Sequence, residues 1–340
     1  MSLKKIFILL SFFSTLLIII FCWLFFIPNV SVRNKKIDFF IKQKTSFDQI
    51  LEDLEPYLKS KTSFRLASKI KKYNINIKPG RYIIENSMSN NQLINNLRVK
   101  NIPIKVIFNN IDRIENLASN ISKQIEADSS NLINQFLSDE FLIKKGFNYQ
   151  TLLSMFIPNS YEFFWNVSPA DFQKRMHVEF LKFWNQKRLS RAKEINLTPV
   201  QVSILASIVK KESSVEEERP IIAGVYMNRL NKKIKLQADP TVIFSIKQKN
   251  KNFNKIIKRV LYKDLDIDSK YNTYKYLGLP PGPICMPDIS SIEAVLNFKK
   301  HDYLYFVANP NKPGHHSFSR TLKEHNNFRR IYINWIKKIN

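Results

Sequence analysis

The chain has 340 residues, 54 of them Lys or Arg against 28 Asp or Glu, for a formal charge of +26. Its 44% hydrophobic content excludes a wholly disordered chain, and 6 Gly with 2 Cys exclude collagen-like and disulfide-stapled classes. The length allows one large or two modest domains, and the charge points to polyanions: nucleic acid, an anionic membrane surface or an acidic polymer. The abundance of Lys, Asn and Ile with little Gly, the imprint of an AT-rich genome, accounts for the charge equally well.

After Lys4 and Lys5, residues Ile6 to Ile27 form an uncharged run of 22 residues. At about 1.5 Å per residue this crosses a hydrocarbon core of roughly 30 Å. A secretory leader has a shorter apolar stretch and small residues at its cleavage site, whereas this run ends Trp23-Leu24-Phe25-Phe26-Ile27-Pro28. It reads as an uncleaved single-pass anchor over 6–27, with residues 1–5 cytoplasmic and Trp23 near the far interface. Arg33, Lys35 and Lys36 after the run offset Lys4 and Lys5 before it, so charge alone orients it weakly. Cys22 lies in the run and Cys285 far from it, so no intrachain disulfide is expected. Neither has a CxxC partner or a His cluster at ligand spacing, and no metal or organic cofactor is indicated.

Residues 34–108 read as a small α+β unit. Ile37 to Ile41 is a strand, and Ser46 with Gln49 is a capping box opening a helix through Ile50, Leu51, Leu54 and Leu58. A second helix carries Phe64, Leu66 and Ile70, followed by a turn at Lys78-Pro79-Gly80 and a strand from Arg81 to Ile84. A helix capped by Ser89 or Asn90 carries Leu93, Ile94 and Leu97, and Ile102 to Phe108 is a further strand. Residues 109–195 are mostly helical by periodicity, interrupted at Phe156-Ile157-Pro158-Asn159-Ser160.

Residues 196–340 carry the candidate chemistry, and the whole chain is predicted as α+β. Thr198-Pro199 is a cap followed by Pro at the first helical position, starting a helix through Lys211. Glu212 follows Ile208 by four residues and Ile204 by eight, which puts its carboxylate near the apolar stripe of Val202, Leu205, Ile208 and Val209. Desolvation raises the pKa of such a carboxyl, as a general acid near neutral pH requires. On helix geometry alone, a terminal glutamate curling back to solvent is the commoner outcome. Glu216, Glu217 and Glu218 precede Arg219, Pro220 and a helix from Ile221 to Leu230, so capping is the default reading for at least two of them. Asp239-Pro240-Thr241 repeats the cap-plus-Pro device. Tyr271-Asn272-Thr273-Tyr274 leads into a loop dense in Pro and Gly, from Leu277 to Pro283. Tyr303 to Ala308 is a strand, Asn309 to Gly314 a turn and His315 to Phe318 a return strand, with His316 and Phe318 on one face. Thr321 and Glu324 form a capping box for a last helix.

In chain order these motifs resemble the YceG-like family of endolytic murein transglycosylases. The resemblance rests on Leu205 to Ser213, Glu218-Arg219, Val225 to Leu230, Leu236 to Val242, Tyr271 to Tyr274, Gly278 to Ile284, Tyr303 to Val307, and His316 to Phe318 through His325-Asn326. It implies an exported, membrane-tethered enzyme that cuts peptidoglycan strands between N-acetylmuramic acid and N-acetylglucosamine without water, leaving 1,6-anhydro ends. It implies that 34–108 is LysM-like, that 196–340 is catalytic and that Glu212 is the acid. Glu218, Gln237, Asp239, Tyr271, Asn272 and His316 become candidates for lining the glycan groove or supporting Glu212. Penicillin-binding synthases and elongation or division proteins are the implied partners, and the bacterial cytoplasmic membrane, with the catalytic part outside, the implied location. Departures are Ser213 where the family usually has Thr, Lys210 where an acidic residue is commoner, and Asn159 in place of an aspartate. Two other readings stay open at this stage: a catalytically silent, membrane-anchored peptidoglycan binder, and a tethered nucleic-acid binder suggested by charge alone. The latter lacks any recognition motif.

Overall fold

The computed structural model describes residues 3–339, without the Ile339 side chain. The chain folds into two compact units, the first comprising 1–106 with 123–127 and 161–168, and the second the remainder. Residues 109–195 are thus shared between the units and do not form a segment of their own.

The first unit opens with α1 (Leu3–Phe26), a 24-residue helix of mean hydropathy 2.7, long and apolar enough to cross a membrane. Its last turn belongs to the globular core: Leu24 and Phe25 are buried, and Asn90 donates a 2.8 Å hydrogen bond to the Leu24 carbonyl. β1 (Lys36–Ile41) pairs antiparallel with β2 (Gly80–Glu85), with Phe39 opposite Tyr82. Alternation sends Phe39, Ile41, Tyr82 and Ile84 inward, against α2 (Phe47–Leu54), α3 (Lys61–Ile70) and α4 (Asn90–Val99).

Details differ from the sequence reading for local reasons. Ser46 caps the Gln49 amide, but the Gln49 side chain turns to Asp53, so the reciprocal box is absent. α2 stops at Leu54 because Pro56 forces a 3₁₀ turn, leaving Leu58 outside the helix. On α3 the inward residues are Phe64 and Ala67, whereas Leu66 and Ile70 are exposed. Ser89 and Gln92 make the full box on α4. β3 (Ile104–Phe108) starts two residues later than expected, after Pro103, and pairs with β4 (Asn159–Phe163), a strand that periodicity did not reveal.

The second unit is built around a buried helix. Helices α5 (Ile114–Ser122), α6 (Ser129–Phe136), α7 (Asp139–Lys145), α8 (Pro169–Phe183) and α9 (Gln186–Glu194) precede α10 (Pro199–Glu212). α10 has the predicted cap, with Thr198 and Gln201 bonded reciprocally and Pro at the first position. Every residue from Val202 to Val209 is buried, so α10 is enclosed on all sides there and is not the one-faced amphipathic helix expected. Its neighbours are α11 (Arg219–Asn231), α12 (Asp239–Lys249) and α13 (Ile289–Leu296). The hairpin of β5 (Tyr305–Ala308) and β6 (His316–Ser319) pairs Phe306 with Phe318 and Ala308 with His316, and α14 (Leu322–Ile339) lies against it. The Thr321–Glu324 box is present at the start of α14.

Gly224 on α11 permits a close approach. A Cβ there would overlap the Lys299 carbonyl and the His301 ring. Alongside, Asn228 donates to the carbonyls of His301 and Tyr303 at 2.7 and 3.0 Å. In an ordinary helix Gly→Ala stabilises by about 1 kcal/mol. Gly224→Ala is expected to reverse that sign and cost about 1–3 kcal/mol through overpacking, read as a lowered Tm by calorimetry.

Candidate active site

Glu212 is the last residue of α10, where the buried helix meets a cleft of about 460 Å³. Its end is held by Arg219, whose buried guanidinium donates to the Ser213 carbonyl at 3.1 Å and pairs with Asp288 at 3.2 Å. The Ser213 hydroxyl accepts the Val215 amide at 3.1 Å, giving the hydroxyl at this position a structural use. Lys210 turns away from Glu212 to Asn110 and the Met286 carbonyl, and Lys211 pairs with Asp112.

The Glu212 carboxylate accepts a 2.6 Å hydrogen bond from the Tyr226 hydroxyl on α11. Burial pushes the Glu212 carboxyl up to about 7, the Tyr226 hydrogen bond opposes that rise, and the nearby Asp239 carboxylate adds to it. Asp239 itself accepts a 2.6 Å hydrogen bond from Tyr274. Burial and its two carboxylate neighbours keep the Tyr226 and Tyr274 hydroxyls protonated. The glutamate is therefore a neutral acid at the pH where an ordinary one is fully ionised.

Arg229 frames one side. Its guanidinium donates to the carbonyls of Leu304, Lys235 and Leu236 and to the Gln237 side chain at 2.6 to 3.0 Å, and it lies 5.1 Å over the Tyr305 ring. Gln237 adopts φ 54°, a left-handed turn that presents its side chain to Arg229. On the opposite strand, both carboxylate oxygens of buried Glu218 are used by His316, one by its backbone amide and one by Nδ1, each at 2.9 Å. Phe306 stands edge-on between the Tyr226 and His316 rings. His325 stacks on Tyr305, and burial beside Arg229 and Arg329 lowers its pKa, so its imidazole is neutral at pH 7.

Of the residues singled out in the sequence, Glu212, Gln237, Asp239 and His316 line this one cleft, with Glu218 behind His316. Tyr271 and Asn272 do not line it. Tyr271 packs on Phe244, and fully buried Asn272 bonds the Leu265 and Ile267 carbonyls and the Tyr274 amide, shaping the loop that delivers Tyr274. Two capping expectations fail. Ala238 is the N-cap of α12, so Asp239 is free to meet Tyr274. Glu216 to Glu218 form a 3₁₀ turn without side-chain capping, Glu216 pairing with Arg219 and Glu218 with His316. Tyr226, Arg229, Tyr274, Tyr305 and His325 were not singled out. For all five the signal was present, since each sits in a motif the sequence reading quoted.

A folded-state pKa near 7 against about 4.5 unfolded means that ionisation of Glu212 opposes folding as pH rises through that window. Glu212→Gln removes the penalty. It is expected to raise stability at pH 8 by about 2 kcal/mol and to have far less effect at pH 4, measured by chemical denaturation at both values.

The comparisons with known proteins bear on the same region. The YceG-like family model matches residues 39–330. An endolytic murein transglycosylase of Bacillus subtilis strain 168 is 46% identical over 144 residues, covering 42% of this chain and 38% of that protein. One of Streptococcus pneumoniae strain D39 is 40% identical over 119 residues, covering 35% of this chain and 21% of that one. The chain thus spans well under half the length of these curated relatives. The crystal structure of a protein described as yceG-like, from Listeria monocytogenes, aligns with a TM-score of 0.58 and 28% identity over 86% of this chain and 98% of that one. With 39–330 matched end to end and the fold shared, the chain belongs to the YceG-like family.

Proposed function

We propose that the chain is a lytic transglycosylase of peptidoglycan, acting inside glycan strands between N-acetylmuramic acid and N-acetylglucosamine. The observation that carries this reading is Glu212, a half-buried carboxyl that lines the cleft with its pKa pushed up to about 7, beside a second carboxyl, Asp239, that is held by Tyr274. Protonated Glu212 donates to the glycosidic oxygen as the C1–O bond breaks and positive charge develops at C1. The resulting carboxylate then takes the proton of the sugar's own C6 hydroxyl, whose oxygen bonds to C1 and closes the 1,6-anhydro ring. The proton inventory is restored and no water enters. Hydrolases need a second carboxylate to attack or to activate water, and here the tethered hydroxyl replaces it with the advantage of proximity. The names of the curated relatives, endolytic murein transglycosylases, support the same reading.

Within it, Tyr226 holds the Glu212 carboxyl in one rotamer and steadies the carboxylate between the two proton transfers. Asp239 keeps the acid protonated and faces the charge that develops in the sugar. α1 anchors the chain in the cytoplasmic membrane, with the remainder of the first unit and the second unit on the outer side. That Leu24 and Phe25 are core residues supports retention of the helix, since its removal would open the core. The tether confines cutting to strands close to the bilayer, where synthases and division or elongation proteins work. Residues 34–108 serve as the LysM-like, glycan-holding part.

Glu212→Gln is expected to reduce anhydro-muropeptide formation from glycan strands by roughly 10²–10⁴-fold, measured by mass spectrometry. Undiminished product would overturn the assignment. Activity should fall as pH rises through about 7, following loss of the Glu212 proton. Tyr226→Phe removes a hydrogen bond to the ionised form and should move that descending limb to higher pH. Asp239→Asn removes a like charge and should move it lower, both read from kcat–pH profiles.

A further inference from the structure

α14 is attached to the second unit along one side only. His325 stacks 5.4 Å from Tyr305, and Arg329 donates to the Tyr262 hydroxyl at 2.8 Å. Away from those contacts the helix exposes Phe328 (37%), Ile331 (53%), Ile333 (38%) and Trp335 (38%). At about 100° per residue, Phe328, Ile331 and Trp335 fall in one strip, joined by Tyr332, which stacks on Trp335 with ring centroids 6.0 Å apart. Lys323, Arg330, Lys337 and Lys338 occupy the adjoining arc. The only acidic residue of the helix, Glu324, is spent on the backbone amides of Arg320 and Thr321. The family match ends at residue 330, so Ile331, Trp335, Lys337 and Lys338 lie beyond it, and none of them lines the cleft.

An apolar strip bearing Trp and Tyr beside a row of cations has the chemistry of a helix that lies in the headgroup region of a bilayer. Anionic lipid supplies the complementary charge, at about 1 kcal/mol per Lys or Arg near the surface. A second copy of the chain is the poorer occupant, because it would set one basic arc against another. With α1, long and apolar enough to cross a membrane, acting as the anchor proposed above, the rest of the chain is held within reach of lipid and the effective concentration of that surface is raised. We propose that α14 is a second membrane contact, docking its Phe328–Ile331–Trp335 strip and its basic arc onto an anionic lipid surface. The contact lies outside the cleft and is independent of the reaction assigned to Glu212.

The test uses the full chain in nanodiscs of phosphatidylcholine alone or of phosphatidylcholine with phosphatidylglycerol, footprinted by hydroxyl radicals and read by mass spectrometry. Trp335 oxidation is expected to fall by at least about threefold in the anionic discs and to recover in high salt. Trp184, 3% exposed, should stay unoxidised throughout and reports the fold. Reversing the charge of the arc with Arg330→Glu, Lys337→Glu and Lys338→Glu together should abolish the protection while leaving Trp184 unchanged. The proposal is overturned by equal Trp335 oxidation in the two lipid compositions, by protection that survives charge reversal, or by protection that follows the number of chains per disc, which would assign the strip to a second copy.

Discussion

The seam between α10 and α11 governs the second unit. α10 is buried through eight consecutive residues and ends on a carboxyl, and a carboxyl in that setting must keep its proton or find a donor. Tyr226 supplies the donor from α11 while burial preserves the proton. α11 then spends its remaining residues on fixing everything that faces Glu212. Arg219 holds the chain just after it, Gly224 lets the 299–301 segment close in, Asn228 gathers the carbonyls at 301 and 303, and Arg229 ties 304 to 235–237. Displace that one helix and the acid, its donor and the cleft wall are lost together.

The site combines few charges with many aromatic rings. Tyr226, Phe306 and His316 form one series of ring contacts at the cleft and Tyr305 and His325 a second, with the Arg229 guanidinium over Tyr305. Rings present flat faces and buried edges, with hydroxyl and imidazole groups at their tips. Such a lining lowers the local dielectric around Glu212 while leaving directional hydrogen-bonding groups for a ligand. The net positive charge of the chain has little part in this, since the cations nearest the acid are committed to protein carbonyls and carboxylates.

Features decided within one turn of helix or one hairpin were legible in the sequence. The Thr198 and Ser89 caps, the Thr321–Glu324 box, the hairpin with His316 and Phe318 on one face, and the placement of Glu212 at a helix end all follow from neighbours within four residues or from strand alternation. Features decided at long range were not. The default role of an acidic residue before a proline or a helix is capping, and Glu218 and Asp239 escape it only because His316 and Tyr274 arrive from 98 and 35 positions away. The one-faced reading of α10 failed for a related reason. Periodicity sees one apolar stripe, whereas Ser203, Ala206 and Ser207 fill the other faces, the two serines buried with their hydroxyls donating to the Pro199 and Ile204 carbonyls. Tyr271 and Asn272 stood in the right motif, but both are buried, Asn272 as a support for Tyr274 and Tyr271 against Phe244.

The long reach of the Glu218–His316 and Arg229–Leu304 links has a consequence for when this chain becomes capable of chemistry. Glu212 and Tyr226 are 14 positions apart and meet as soon as two neighbouring helices pack. The groove around them closes only after loops of 75 and 98 positions have been drawn shut, steps that carry a larger entropic cost and come later. A partly synthesised or partly folded chain therefore owns an acid without its groove. Because β6 and α14 complete the groove, the order of folding acts as a safety catch: Glu212 gains its groove only once the second unit is whole.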